Sequence, residues 1–298
     1  MKIRYLSGII LILSCINVFA QDTTTVQKAD TLVIVKDTSF PPAILKSKPV
    51  GPIYNYKPAI DLPITLAAVA WDAYAFTKIY SKPSSSPEEV SALRIENVNW
   101  FDRWVAGNYS EKTDKFSYIP FYGSLALPFF LLFDKEIRKD AGKIGLMWLE
   151  AISVTGVFYT GSTYLVDRYR PYTYNTSVPI DVRTAGGAKN SFLAGHLAVM
   201  ATSTFFTAKV YADYHPESNI KWLLYTGATG LTAWMAAMRL HSGNHFPTDE
   251  LAGLAVGVGS ALLVPTFHKN KSRKRHDITL FPFTGDRSSG VAMIYKFK

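Results

Sequence analysis

The sequence predicts an all-α protein: a membrane-embedded bundle of five to six helices, with a disordered N-terminal arm and a small C-terminal β-hairpin. Hydrophobic residues make up 48% of the 298-residue chain and charged residues only 18%, a low charged fraction for a soluble protein of this size. The hydrophobic residues are also gathered in runs that are long enough to cross a bilayer. These observations together favour a polytopic membrane protein.

Residues 1–20 have the pattern of a secretory signal peptide. Lys2 and Arg4 supply the positive charge, residues 8–12 lie in the apolar core, and Ala20 ends a small-residue cleavage site. Cys15 is the only cysteine, and its surroundings faintly resemble a lipoprotein signal, which is the alternative interpretation. If cleavage follows Ala20, the mature chain has no cysteine and forms no disulfide.

Residues 21–58 are polar, rich in Thr and Lys, and interrupted by five prolines, which predicts a flexible exported arm. A helical domain is expected over residues 59–268. Its five strongest membrane-helix candidates are Tyr118 to Phe133, Ile144 to Val166, Phe192 to Ala212, Trp222 to Met238, and Leu251 to Phe267.

A sixth apolar segment, Leu62 to Tyr80, is a weaker candidate because Asp72 lies near its middle. A cleaved signal would place residue 21 outside, on the same side as an exported site. The chain must then cross the membrane an even number of times between residue 21 and the site. We therefore expect this weakest segment to lie in the interface or to pack against the bundle rather than to cross. The following stretch around Trp100 and Trp104 is amphipathic and is a candidate for the membrane interface.

The net charge of +9 makes nucleic acid the first partner to consider. The basic residues, however, cluster around Lys139 and in residues 269–275, next to apolar runs, and no nucleic-acid motif is present. The positive-inside rule explains the charge better and predicts that these clusters face the cytoplasm. Residues 269–298 are expected to form a basic tail with a β-hairpin, because they alternate imperfectly around a Gly-Asp-Arg-Ser-Ser-Gly turn region.

The most informative motif is the stretch MRLHSGNHFPTDELAG, which contains Arg239, His245 and Asp249. Pro247 opens an apolar run, so His245 is expected just before a helix and Asp249 in its first turn. Such spacing lets a carboxylate hold one imidazole nitrogen and leave the other nucleophilic, while the arginine suits phosphate oxygens. A salt bridge within a loop is the alternative interpretation.

Two further segments add to this motif. The first is DRYRPYTYN, in which Arg168, Arg170 and Pro171 follow a long apolar run. The second is KNSFLAGHLAV, where a helix start carries Gly195 and His196. Basic residues, a histidine near a helix N-terminus and an Arg-His-Asp cluster are the groups needed to bind a phosphoryl group and transfer it through histidine.

The order and separation of the three segments resemble the signature motifs of the phosphatidic acid phosphatase type 2 and vanadium haloperoxidase superfamily, over roughly residues 60 to 268. Three positions depart from the family pattern. Thr163 stands in place of a lysine, Leu193-Ala194 in place of Pro-Ser, and Met238 in place of a serine. Arg168 or Lys189 is a candidate replacement for the missing cation. The alternative for Arg168 is a snorkelling interfacial residue.

The resemblance implies a role for each site residue. His245 attacks phosphorus and becomes a phosphohistidine, Asp249 holds its imidazole, and His196 acts as general acid and then base. Arg170 and Arg239 bind the phosphoryl oxygens, and amide nitrogens at Gly195 and His196 add donors. The resemblance implies neither a metal nor another cofactor.

Three function classes remain. The first is an envelope phosphatase acting on a phosphomonoester or diphosphate of a membrane lipid, such as phosphatidate, an isoprenoid carrier or lipid A, in the bacterial inner membrane with its site facing the periplasm. The second is a catalytically weakened relative that binds phospholipid. The third is a vanadate-dependent haloperoxidase, which the membrane-helix pattern disfavours. The expected partners are the lipid substrate and the bilayer, without nucleic acid.

Overall fold

The computed structural model describes residues 51–270 and the backbone of residues 278–285 and 288–295. Each of the six apolar segments corresponds to a long helix, which confirms the helical membrane-like bundle. In chain order the α-helices are α1 (Pro58–Tyr80), α2 (Pro87–Ser91), α3 (Glu111–Phe130), α4 (Lys135–Arg138), α5 (Ala141–Leu165), α6 (Ile180–Thr184), α7 (Gly195–Tyr214), α8 (Ile220–His241) and α9 (Pro247–His268). Single 3-10 turns lie in the connections at Ile95–Asn97, Arg103–Val105, Leu131–Phe133, Pro171–Tyr174 and Gly186–Lys189.

Local sequence signals explain where several helices begin. The Ser110 side chain accepts a hydrogen bond from the Thr113 amide and caps α3. Proline occupies the first helical position of α1 and of α9, where no amide proton is needed. Asp134 accepts from two amides at the start of α4. These caps set the level at which each helix enters the bundle.

Helix α7 lies at the centre, with α3, α5, α8 and α9 packed around it. Small residues allow the closest approach: a Cβ on Gly257 of α9 would lie 2.2 Å from the Ala198 carbonyl oxygen of α7. Close contact between small residues is a usual way to pack membrane helices, because lipid supplies no hydrophobic force between them. Helix α7 carries several threonines in this central position, and the hydroxyls of Thr202, Thr204 and Thr207 each donate to a carbonyl of the same helix.

Four of the described helices are long and apolar enough to cross a membrane: Pro58–Tyr80, Glu111–Phe133, Ala141–Leu165 and Pro247–His268. The first of them contains Leu62 to Tyr80, which packs along α5, as one of the two expected arrangements of this segment requires. Asp61, in the first turn of α1, lies 3.6 Å from His268 at the end of α9. At the other end of α1, the Ile79 carbonyl accepts a hydrogen bond of 2.8 Å from Asn190. Helix α1 therefore runs the full length of the bundle.

The Asp72 side chain of α1 is accommodated against α5, because α5 has a glycine at the point of contact. A Cβ on Gly156 of α5 would lie 2.2 Å from an Asp72 carboxyl oxygen. Thr160, one turn further along α5, donates to Asp72 at 3.4 Å and accepts from the Trp71 indole at 3.1 Å. The polar residue that weakened the sequence prediction thus packs between two helices.

The end of the predicted flexible arm is packed against the bundle. Tyr54 is 1% exposed and donates a hydrogen bond of 2.8 Å to Asp213. The Asn55 amide donates to the His268 carbonyl, and the Asn270 amide donates to the Ile53 carbonyl. Residues 51–57, at the C-terminal end of the arm predicted over 21–58, thus contact the bundle. The earlier part of the arm and the predicted signal peptide, residues 1–50, lie outside the described residues.

Two strands lie in the predicted tail, Ile278–Gly285 and Ser288–Tyr295. They pair antiparallel, with Ile278 opposite Tyr295 and Gly285 opposite Ser288. The residues that would form the turn, 286–287, lie outside the described residues, so the hairpin stays a prediction.

Candidate active site

All the residues singled out in the sequence lie at one end of the bundle. Arg168 and Arg170 follow α5, His196 lies in the first turn of α7, and Arg239 lies in the last turn of α8. His245 occupies the short connection to α9, whose first turn carries Asp249. The opposite end carries residues 51–57, α4 and the connection between α7 and α8.

A cavity of about 470 Å³ opens at this end. Five predicted site residues line it: Arg170, Gly195, His196, Arg239 and His245. Three others, Asp249, Arg168 and Lys189, are not among the lining residues that the structure describes. The geometry therefore separates the predicted residues into those that face the cavity and those that lie behind it.

His245 is 2% exposed, and its Nδ1 lies 2.6 Å from the Ser191 carbonyl oxygen. A carbonyl only accepts hydrogen bonds, so Nδ1 carries the proton and Nε2 keeps its lone pair. Burial, together with the charges of Arg239 and Arg170, holds the pKa of His245 well below its usual range. The imidazole is therefore neutral near pH 7, which is the form a nucleophile requires.

The sequence analysis predicted that Asp249 holds the His245 imidazole directly, but the structure shows no such contact between the two described side chains. One carboxyl oxygen accepts from the Ser191 hydroxyl at 2.6 Å and from the Phe246 amide at 2.8 Å, and the other accepts from Arg168. The carboxylate turns back to the N-terminus of α9, where free amides attract it. Asp249 therefore acts on His245 through Ser191, whose carbonyl orients the ring.

Arg168 is not a free cation, so the hypothesis that it replaces the missing lysine is wrong. Its guanidinium donates to Asp102 at 2.6 Å, to the Thr248 hydroxyl at 2.8 Å and to Asp249. It also stacks on Phe246, with 4.5 Å between the guanidinium carbon and the ring centre. These contacts also exclude the snorkelling alternative. Arg168 is a structural cation behind the site.

Lys189 contacts this network through its backbone, whose carbonyl accepts a hydrogen bond of 3.0 Å from the Arg168 amide. The structure does not bring the Lys189 side chain into the lining of the cavity. Its proposed phosphate contact stays a prediction.

The two arginines of the cavity are held by two residues that the sequence analysis missed. Arg239 is 1% exposed and donates to Asp114 at 2.6 Å and to Ser117. Arg170 donates to the Asn244 side-chain oxygen, and Asn244 in turn donates to Asp114 at 2.8 Å. Within the described chain, the Nε of each arginine is buried without a hydrogen-bond partner. Asp114 thus ties two like charges together beside the cavity.

Asn244 stands next to His245 in the sequence, and this position beside the candidate nucleophile is a signal that could have identified it as a site residue. Asp114 lies 125 residues before Arg239, and no local pattern links the two. Only the packing of α3 against α8 brings them together.

His196 contacts aromatic rings, with 4.9 Å between its ring centre and that of Tyr118 and 4.6 Å to that of Phe121. The preceding Gly195 has no room for a side chain, because a Cβ there would lie 2.6 Å from the Tyr159 ring. The glycine thus lets the start of α7 approach Tyr159 at the cavity wall. Four tyrosines that the sequence analysis did not select also line the cavity, namely Tyr80, Tyr118, Tyr159 and Tyr172.

The three departures from the family pattern are packed into the protein. The buried Thr163 hydroxyl donates to the Phe192 carbonyl at 3.0 Å. Ala194 is fully buried and Met238 is 6% exposed, and both belong to an apolar cluster with Leu197. The side chains at these three positions thus contact the protein interior and are not among the residues that line the cavity.

A family described as the PAP2 superfamily matches residues 122–273, just over half of the chain. The match contains Arg170, His196, Arg239, His245 and Asp249. No curated protein and no solved structure matches the chain.

Proposed function

Because the chain belongs to the PAP2 superfamily, whose members are phosphatases, we propose that it hydrolyses a phosphomonoester or diphosphate of a membrane lipid. The observation that carries this proposal is the cavity that His245, His196, Arg170 and Arg239 line together. Its neutral histidine and two guanidinium groups suit an anionic phosphoryl group. The four long apolar helices indicate a membrane protein by their length and composition, which favours a lipid ester over a soluble one.

The reaction has two steps that both use the cavity histidines. In the first, His245 Nε2 forms a bond to phosphorus while the bond to the lipid oxygen breaks. The leaving oxygen takes a proton from His196, which enters this step as the imidazolium and leaves it neutral. In the second, water attacks phosphorus, His196 takes its proton, and the phosphorus–nitrogen bond breaks. Phosphate leaves and both histidines return to their starting states. Arg170 and Arg239 stabilise the charge that develops on the phosphoryl oxygens.

We propose the bacterial inner membrane as the location, with the cavity at the periplasmic surface. Lys135, Arg138, Lys139 and Lys143 lie at the end opposite the cavity, as the positive-inside rule requires. Residues 51–57 lie at that same end. A chain that crosses only in these six helices therefore has residues 51–57 in the cytoplasm, and this orientation conflicts with a cleaved signal that exports residue 21.

Thiol labelling tests the orientation. Ser84 is exposed near the cavity end and Asn219 is exposed at the other end, so each is replaced by Cys in a Cys15→Ser background. We expect a membrane-impermeant reagent to label the Ser84→Cys protein in intact spheroplasts and the Asn219→Cys protein only after lysis. The reverse pattern would overturn the periplasmic site.

Phosphate release by the purified protein tests the activity. The substrates are phosphatidate, isoprenyl diphosphate and lipid A, each with and without a chelator, because we propose a metal-independent reaction. Rapid acid-free quenching should trap phosphate on His245. His241 in the same loop is a matched control, since it is exposed and contacts Thr113 rather than the cavity. Trapped phosphate that persists in the His245→Ala variant would contradict the proposed nucleophile.

A catalytically weakened, phospholipid-binding relative is the second candidate. The observation that favours it is the loss of the family lysine and serine at Thr163 and Ala194, without a replacement cation from Arg168. The double variant Thr163→Lys/Ala194→Ser restores both residues. It should then raise catalytic efficiency, because each charge-assisted contact contributes about 1.5–3 kcal/mol. Turnover that appears only after restoration would establish the weakened class. Bromide oxidation with added vanadate would indicate the haloperoxidase alternative.

A further inference from the structure

Three large aromatic side chains are exposed on one short loop at the cavity end. Trp100 is 81% exposed, Phe101 40% and Trp104 65%. We call residues 100–104 the aromatic loop; it lies between α2 and α3. Exposed indole rings of this kind are typical of a membrane–water interface, where the apolar ring body and the polar N–H each find a matching environment.

The apolar surface of the bundle continues to this level. Phe76 lies near the end of α1 and is 40% exposed, and Leu165 ends α5 and is 80% exposed. Both helices are long and apolar enough to span a bilayer. The loop therefore lies at the level where the apolar helix surfaces end. The partner that fits this position is the bilayer interface.

The residue between the exposed rings points the other way. Asp102 is fully buried and accepts hydrogen bonds from the Thr248 amide at 3.0 Å and the Thr248 hydroxyl at 2.6 Å. It also accepts from Arg168 at 2.6 Å and from Asn99 at 2.7 Å. A buried carboxylate with four donors fixes the loop firmly against the start of α9.

A chain of hydrogen bonds connects Asp102 to His245, the proposed nucleophile. Arg168 joins Asp102 to Asp249, and Asp249 holds the Ser191 hydroxyl at 2.6 Å. The Ser191 carbonyl, 2.6 Å from Nδ1, orients the His245 ring. Each step is a direct hydrogen bond, so a shift of the loop moves the groups that set the direction of His245 Nε2.

The loop is joined to the site a second time, just after residue 104. The Gly107 amide donates to the Pro171 carbonyl at 2.8 Å, and the Asn108 side chain donates to the Leu240 carbonyl at 3.1 Å. Gly243 has a positive φ of 75°, and a Cβ there would lie 1.8 Å from the Asn108 carbonyl oxygen. The backbone of the loop region therefore packs directly on the connection that carries His245.

We propose that the aromatic loop is a bilayer-interface docking element and that Asp102 couples its insertion to the alignment of His245. Asp102 is then a positioning residue rather than a catalytic one. The docking part stands on its own, whereas the coupling part rests on the proposed phosphatase function.

Fluorescence quenching in nanodiscs tests the docking. The emission of the wild-type protein minus that of the Trp100→Phe/Trp104→Phe variant isolates the two indoles. We expect this difference emission to be quenched by lipids brominated at shallow acyl positions and to be protected from aqueous acrylamide. Quenching by acrylamide alone would overturn docking in the bilayer. Protection from both quenchers that depends on protein concentration would indicate contact between two copies and would also overturn it.

Kinetics in the same nanodiscs test the coupling, with a lipid phosphate and a soluble aryl phosphate as substrates. The aryl phosphate needs no capture from the bilayer, so it reports alignment alone. Trp100→Ala/Trp104→Ala should lower kcat about tenfold for both substrates at similar KM, and Trp100→Phe/Trp104→Phe should stay within about twofold of the wild type. Asp102→Asn should lower kcat by roughly 10²-fold, because small displacements of a reacting group have effects of this size.

Each outcome decides the coupling. A loss confined to the lipid substrate would indicate substrate capture and overturn the coupling, as would an unchanged kcat in the alanine variant. If the wild-type protein has no turnover, the proposed function fails separately, and the binding of inorganic phosphate replaces kcat as the measurement. The coupling then predicts weaker phosphate binding by Asp102→Asn and by the alanine pair, and equal binding would contradict it.

Discussion

The two ends of the bundle both bury charged side chains, but they arrange them differently. At the end away from the cavity, Asp213 accepts hydrogen bonds from Tyr54, Lys209 and Lys269, all within 2.8 Å. Two cations and a phenol thus surround one carboxylate. These contacts join the chain before α1 to the end of α9, so their effect is on the stability of the fold.

At the cavity end, two guanidinium groups share Asp114, which bonds Arg239 directly and Arg170 through Asn244. The neutral His245 adds no charge to balance them. Each end thus has two cations beside one carboxylate, but at the cavity end both cations line an open cavity and, among the described residues, the Nε of each guanidinium has no hydrogen-bond partner. We expect an anion in the cavity to supply the missing partners, and the following predictions test that contrast.

The largest expected effect is that of removing the nucleophile. His245→Ala should reduce phosphate release by at least ~10³-fold, since losing a nucleophile removes the covalent route. The folded yield, measured by size-exclusion chromatography, should stay close to that of the wild type. A rate within about tenfold of the wild type, roughly 1.4 kcal/mol in barrier, would remove His245 from this role. His241→Ala is the control with an unchanged rate.

The next effect separates the two ends by charge. Arg239→Ala should lower kcat by ~10²–10³-fold, because it removes a preorganised cation that stabilises the transition state. Lys269→Ala, which removes a cation from Asp213 at the other end, should leave kcat unchanged and lower only the thermal unfolding temperature. Equal kinetic losses in both variants would show that the contrast between the ends has no catalytic meaning.

A smaller effect is expected for the carboxylate behind the site. Asp249→Asn keeps the size of the side chain but weakens the ion pair with Arg168, so it should lower kcat about 10-fold to 100-fold with little change in KM. Asp213→Asn at the opposite end is the matched control and should change stability only. A selective rise in KM for Asp249→Asn would instead indicate that Asp249 contributes to substrate binding.

The smallest effect concerns stability and pH. The pKa of His245 in the folded protein lies well below the ordinary value of 6.5, mainly because the ring is buried. The unfolded chain therefore binds a proton as the pH falls below 6.5 while the folded chain does not, so acidification favours unfolding. We expect the thermal unfolding temperature in detergent to fall less between pH 7 and pH 5 for His245→Gln than for the wild type. Identical slopes would contradict a neutral buried ring.

Much of the fold follows from local sequence. The apolar runs, and Pro247 at the start of α9, predict the long helices, because helix length and hydrophobicity are properties of a single segment. The same local order predicts that Arg170, His196 and His245 emerge at one end. Leu62 to Tyr80 was a weaker candidate for a physical reason: the cost of placing Asp72 in a helix depends on Gly156, which lies in another helix.

The tertiary structure alone decided which polar residues face the cavity. The sequence determined that Arg168, Asp249 and His245 belong to one end, since each lies at a helix boundary. It did not determine their contacts, because a hydrogen bond joins whichever groups the packing brings within reach. Packing placed Asp102 against Arg168 and the Ser191 carbonyl against His245, across separations of 66 and 54 residues. Local pattern thus fixes where the chemistry is located, and long-range packing fixes which atom holds which.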